Sequence, residues 1–130
     1  MDSLDGALRK MDFGFFGEGR HKIALETLLD MTEAVFVDLR SDGEIEVLPI
    51  SIDWLRSIHI PLHRLPERWS EIPDDRPVGL FCSSDTRSAI ALAYLMSRGY
   101  GSVRIVAGGY EALVEELKPG KLYARLSAGD

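Results

Sequence analysis

The feature that most constrains the fold is an apolar run followed at once by a strongly periodic segment. Pro77-Val78-Gly79-Leu80-Phe81 reads as a buried strand, and residues 88–98 carry Ala89, Leu92, Ala93, Leu95 and Met96 at helical spacing. The two are joined by Cys82-Ser83-Ser84-Asp85-Thr86-Arg87, small and polar residues suited to a tight turn. A strand that runs straight into a helix predicts a β-loop-α unit. Ala34-Val35-Phe36-Val37-Asp38 is a second continuous apolar run, ending in an acid, as expected of a central parallel strand.

Other segments repeat the alternation. His21-Lys22-Ile23 predicts a short edge strand, Leu25, Leu28 and Leu29 a short helix ending near Met31-Thr32, and Val103 to Val106 a strand. Ile58 to Pro61 predicts a short extended piece, and Tyr110 to Leu117 a last helix stopped by Pro119-Gly120. The segment between the second strand and Pro61 is less regular. Ser41-Asp42-Gly43 suggests a turn, Ile45 to Ile50 an edge strand or a partly extended segment because of Pro49, and Asp53 to Ser57 a helical turn. Leu62 to Ser70 predicts a helix interrupted at Pro66. Strands alternating with helices imply an α/β domain, a mostly parallel five-stranded sheet with helices on both faces.

The division expected is an N-terminal extension over 1–20, the α/β domain over 21–118 and a C-terminal tail over 119–130. Within the extension, Leu4 to Lys10 suggests a short helical turn, and Phe13-Gly14-Phe15-Phe16-Gly17-Glu18-Gly19 breaks regular pattern. Its phenylalanines are expected across the domain's own core, with a dimer contact or a cleft wall as the alternative.

With a net charge of −6, the chain lacks the basic surface of a nucleic-acid or anionic-membrane binder. No apolar run approaches a membrane span, and Met1-Asp2-Ser3-Leu4-Asp5 has no basic start before an apolar stretch. One cysteine in 130 residues cannot close an intramolecular disulfide. A reduced thiol and a cytoplasmic location are expected.

That cysteine, Cys82, falls at the carboxyl end of a strand, where ligands gather in such sheets. Loop amides and the N-terminus of the next helix would favour its thiolate, and Arg87 would add a guanidinium suited to an oxyanion. The plain alternatives are a small buried hydrophobe at Cys82 and an ordinary capping loop at Ser83 to Thr86. The residues expected to surround a substrate are Ser83, Ser84, Asp85, Thr86, Arg87 and Ser88. His59 and His63 could share a metal only across Pro61 and without a full ligand set, so neither a metal nor another cofactor is expected. Trp54 and Trp69 are expected in the core or the cleft wall.

Four blocks together resemble a single-domain rhodanese, a sulfurtransferase, over residues 20–118. They are Val35 to Arg40, ending Asp-x-Arg; His59-Ile60-Pro61-Leu62; Cys82 to Ser88, resembling Cys-x-x-Gly-x-Arg-Ser; and Arg98-Gly99-Tyr100 with Val103 and Gly108 to Ala112. The resemblance implies that Cys82 takes a sulfane sulfur from thiosulfate or a persulfide and passes it to cyanide, a small thiol or a protein. It also implies a buried pair of Asp38 and Arg40 near the loop, and an Arg87 that orients the donor. Gly108 and Gly109 would let backbone approach the loop closely.

Two departures matter. Asp85 stands where the family has glycine; its carboxylate either faces the thiol and repels an anionic donor, favouring a neutral persulfide, or turns away and caps the helix. The segment before His59 lacks the family's Gly-His-Ile-Pro-Gly-Ala. Two rivals remain: a non-catalytic interaction module on this fold, and a phosphatase of the dual-specificity cell-cycle type. The phosphatase needs five residues between cysteine and arginine, and here there are four, a ring sized for one sulfur atom.

Overall fold

The computed structural model describes residues 3–128. In chain order it contains α1 (Leu4–Lys10), α2 (Phe13–Gly17), β1 (Lys22–Ile23), α3 (Leu25–Leu29), β2 (Val35–Asp38) and α4 (Asp42–Val47). There follow β3 (Arg56–His59), α5 (Leu65–Arg68), β4 (Val78–Phe81), α6 (Thr86–Ser97), β5 (Val103–Val106), α7 (Gly109–Glu116) and α8 (Pro119–Ala128). The strands form one sheet in the order β1-β5-β4-β2-β3, and every pairing is parallel. The expected α/β architecture is present, with the sheet wholly rather than mostly parallel.

Side-chain alternation explains how the sheet is covered. Val35, Val37, Val78, Leu80 and Cys82 point to one face, packed with Ala91, Leu92 and Leu95 of α6 and with Phe15 and Leu65. Phe36, Phe81 and Val106 point to the other, with Leu25, Leu28 and Leu29 of α3 and Leu113 of α7. Gly79 falls on this second face, where a Cβ would stand 2.6 Å from Leu28 Cδ2 and 2.8 Å from Val106 Cγ2. The helix α3 therefore lies directly on the β4 backbone.

Several expected elements are corrected. Residues 42–47 form the helix α4 rather than a turn and an edge strand. Ser41 and Glu44 make a reciprocal capping box, and Pro49 lies past the helix end, where it has no hydrogen-bond ladder to break. Asp53 and Trp54 make a simple turn, and β3 already begins at Arg56. The helix expected over 62–70 is split into a 3-10 turn at Leu62–Arg64, α5, and another 3-10 turn at Trp69–Glu71. Pro66 sits within the first turn of α5, where its missing N–H has no partner to lose.

Both ends are more helical than expected. Ser3 caps α1, which packs on α6, and Asp12 caps α2 across the Phe-Gly segment. Of the three phenylalanines only Phe15 joins the core; Phe16 is half exposed and Phe13 is 90% exposed. Beyond α7, Pro119-Gly120 opens α8 instead of ending the order, because proline is favoured in a first helical turn. Arg125 of α8 pairs with the buried Glu116 and with Asp30, holding this helix to the domain. Trp69 packs on the core as expected, while Trp54 is 42% exposed and donates to the Leu29 carbonyl.

Candidate active site

Cys82 follows β4, the middle strand of the sheet, at its carboxyl end. The thiol is 1% exposed. Its Sγ accepts the Ser88 backbone N–H at 3.4 Å and the Ser88 hydroxyl at 3.1 Å. Ser88 is in the first turn of α6 and fully buried, so the sulfur faces the positive end of a helix dipole. Both donors favour negative charge on sulfur.

The loop between them is shaped by Asp85, whose φ of 71° makes it the only non-glycine in the left-handed region among the described residues. Its side chain does not cap α6. Instead Oδ2 accepts the Gly108 N–H at 3.1 Å, while Oδ1 is buried without a partner. Neither of the orientations weighed from the sequence is the one found; the carboxylate crosses to the β5–α7 turn. That turn returns a second tie, the Tyr110 N–H to the Ser83 carbonyl at 3.4 Å. The close approach depends on Gly109, where a Cβ would fall 2.2 Å from Ser83 O.

Arg87 is not a free cation. Its Nη1 and Nη2 grip the Glu44 carboxylate at 2.5 and 2.9 Å, and Nη2 also donates to Ser83 Oγ at 2.8 Å. The Arg87 hydrogen bond draws the Glu44 pKa down to about 2. In return the Glu44 bond raises the Arg87 pKa, with the charges of Cys82 and Tyr110 adding to it. Glu44 was absent from the residues expected at the site. Its signal was the Ser-x-x-Glu capping box, masked by reading residues 45–50 as a strand.

Behind the loop, Asp38 and Arg40 form the expected buried pair, with Nη2 to Oδ2 at 2.9 Å and Arg40 fully enclosed. Arg40 Nη1 also donates to the Leu48 carbonyl and to the Tyr110 hydroxyl, and its guanidinium lies over the Phe81 and Tyr110 rings. Burial alone would lower the Arg40 pKa; the bonds to Asp38 and Tyr110 outweigh it and raise the value. His59 Nε2 donates to the Arg40 carbonyl at 2.7 Å, which takes that nitrogen out of any metal site shared with His63.

Of the loop residues expected around a substrate, Ser88 and Ser83 contact Cys82 and Arg87 respectively, and Asp85 faces the β5–α7 turn. Ser84 and Thr86 are exposed at the loop surface.

The Rhodanese-like domain model matches residues 23–116. The chain belongs to the rhodanese-like domain family. A protein of Allochromatium vinosum named as a sulfurtransferase is 40% identical over 84 residues, which is 65% of this chain and 75% of that protein. A tRNA sulfurtransferase of Photobacterium profundum is 28% identical over 55% of this chain, but the match spans only 15% of that longer protein. Among solved structures, a rhodanese-related protein of Thermoplasma volcanium has a TM-score of 0.61 at 27% identity, covering 76% of this chain and 95% of that one. A NAD-dependent persulfide reductase from A. fulgidus has a TM-score of 0.59 at 29% identity, covering 75% of this chain and 17% of that one. A rhodanese-type sulfurtransferase activity is what these relatives support for this rhodanese-like domain. No helix among its described residues is long and apolar enough to cross a membrane.

Proposed function

We propose that Cys82 carries sulfur between an external donor and an external acceptor. The observation that supports this most is the pair of Ser88 donors on Sγ at the start of α6, with four residues of chain between Cys82 and Arg87. The thiolate attacks the outer sulfur of thiosulfate or of a persulfide. An Sγ–S bond forms as the donor's S–S bond breaks, and sulfite or a thiolate leaves with the electron pair. Cyanide, a small thiol or a protein thiol then attacks the carried sulfur and returns the Cys82 thiolate. As the single cysteine of the chain, Cys82 has no internal thiol to resolve its persulfide, so the acceptor comes from outside. A reducing compartment such as the cytoplasm fits a free, reactive thiol.

Intact mass after incubation with thiosulfate or glutathione persulfide tests the reading. A gain of one sulfur atom is expected, removed by cyanide and absent in Cys82→Ser. No gain with either donor would sink it, and hydrolysis of an aryl phosphate in its place would point to the phosphatase.

A further inference from the structure

A groove of about 300 Å³ opens beside the active loop, lined by Leu39, Ser41, Pro61, Leu62, His63 and Arg87. Its floor is apolar: Leu39 and Pro61 are buried and Leu62 partly so. Leu39 is joined to the loop's origin, since its N–H bonds the carbonyl of Phe81, the residue before Cys82. The Leu62 N–H in turn bonds the Leu39 carbonyl, fixing the second wall. Arg87, from the loop that begins at Cys82, also lines it; Cys82 itself, 1% exposed, does not.

The charges around this groove are already matched. Arg87 is held by both oxygens of Glu44, Arg40 is buried against Asp38, and Arg64 faces Asp42 at 3.6 Å. Asp85 adds a carboxylate to the loop that no cation faces, its one bond coming from the Gly108 amide. A doubly charged donor such as thiosulfate must pull Arg87 from a bidentate carboxylate to gain a cation. A donor with an uncharged apolar body meets no such competition, and its body has a surface to cover.

Resting on the sulfur-transfer reading above, we propose that this groove binds the organic body of a low-molecular-weight persulfide, R–S–SH, with R uncharged and apolar. Glu44 is the residue that sets the preference, by occupying Arg87. With R seated on Leu39, Pro61 and Leu62, the Cys82 thiolate attacks the outer sulfur. The new Sγ–S bond forms, the proton stays on the transferred sulfur, and R–S⁻ departs with the electrons of the broken S–S bond. Cys82 is left as Sγ–SH, and the step needs no other reactant.

The test measures kcat/KM for loading Cys82 from three donors: butyl persulfide, the persulfide of 3-mercaptopropionate, and thiosulfate. The butyl donor is expected to exceed thiosulfate at least ~10-fold, with the carboxylated persulfide between them, about the change one lost charge-assisted contact brings. Leu62→Ser should lower the butyl-to-thiosulfate ratio several-fold, and Glu44→Gln should lower it by raising the thiosulfate rate. Thiosulfate loading as fast as butyl persulfide, or a ratio that Leu62→Ser leaves unchanged in a folded protein, overturns the donor assignment while leaving sulfur transfer intact. Failure of all three donors to load Cys82 refutes sulfur transfer itself. Leu62 is the partly exposed first residue of a 3-10 turn, so its serine variant keeps the test usable if Glu44→Gln disturbs α4.

Discussion

Replacing Gly109 by alanine separates the support of the active loop from its chemistry. The new Cβ would lie 2.2 Å from Ser83 O, 2.7 Å from Ser83 C and 3.2 Å from Ser84 N, all backbone atoms that no rotamer change can move. Ordinary contact begins near ~3.4 Å, so loop and turn must part by about 1 Å. The residue also has a φ of 51°, which costs a non-glycine roughly 1–2 kcal/mol. Adding about 1–3 kcal/mol for overpacking gives a loss of about 2–5 kcal/mol, a large share of the stability of a small domain. Urea denaturation measures the loss, and the rate of Cys82 persulfide formation reports the loop. A 1 Å displacement of a positioned group is expected to slow that rate by ~10- to 100-fold. Gly43→Ala is the control, because nothing lies within 4 Å of its Cβ and its place in α4 favours alanine. A Gly109→Ala protein losing under about 0.5 kcal/mol and loading sulfur at the normal rate would refute the idea that the β5–α7 turn shapes the loop.

Two further outcomes follow from the ion pairs. Arg40→Met leaves the Asp38 carboxylate buried without its cation and should cost about 3–5 kcal/mol in denaturant melts; a loss under 1 kcal/mol would show that the carboxylate finds another partner. Glu44 has a folded pKa depressed from 4.5 to about 2, so its stabilisation is full above pH 4.5 and disappears as the pH falls toward 2. The stability difference between the native protein and Glu44→Gln, about 0.5–1 kcal/mol for a partly exposed pair, should therefore shrink below pH 4.5; a difference that grew with acidification would contradict the pairing.

The sequence shows most plainly what depends on local pattern. Val35 to Asp38 and Val78 to Phe81 announce buried strands because both their faces are covered, and α6 because its apolar spacing is regular. The candidate loop stands out because cysteine and arginine fall at a fixed count around small residues. What escapes is set by contacts distant in the chain. Glu44 meets Arg87 across 43 positions, and Asp85 meets Gly108 across 23. Neither partner is encoded near the other. Residues 42–47 mislead for a related reason: Ile45 and Val47 look like strand residues, but the Ser41–Glu44 cap starts a helix that buries neither fully.

Asp85 has a consequence for the stiffness of the loop that encloses the Cys82 thiol. A glycine in that left-handed position would let the loop breathe, since glycine reaches many backbone states at little cost. Aspartate has fewer states to visit, and here its side chain is also fastened to the Gly108 amide. The segment from Cys82 to Arg87 is thus stiffer than a glycine at position 85 would leave it. A loop fastened in this way keeps its backbone, and with it the Ser88 donors that face Sγ, in one arrangement more firmly than a glycine at position 85 would.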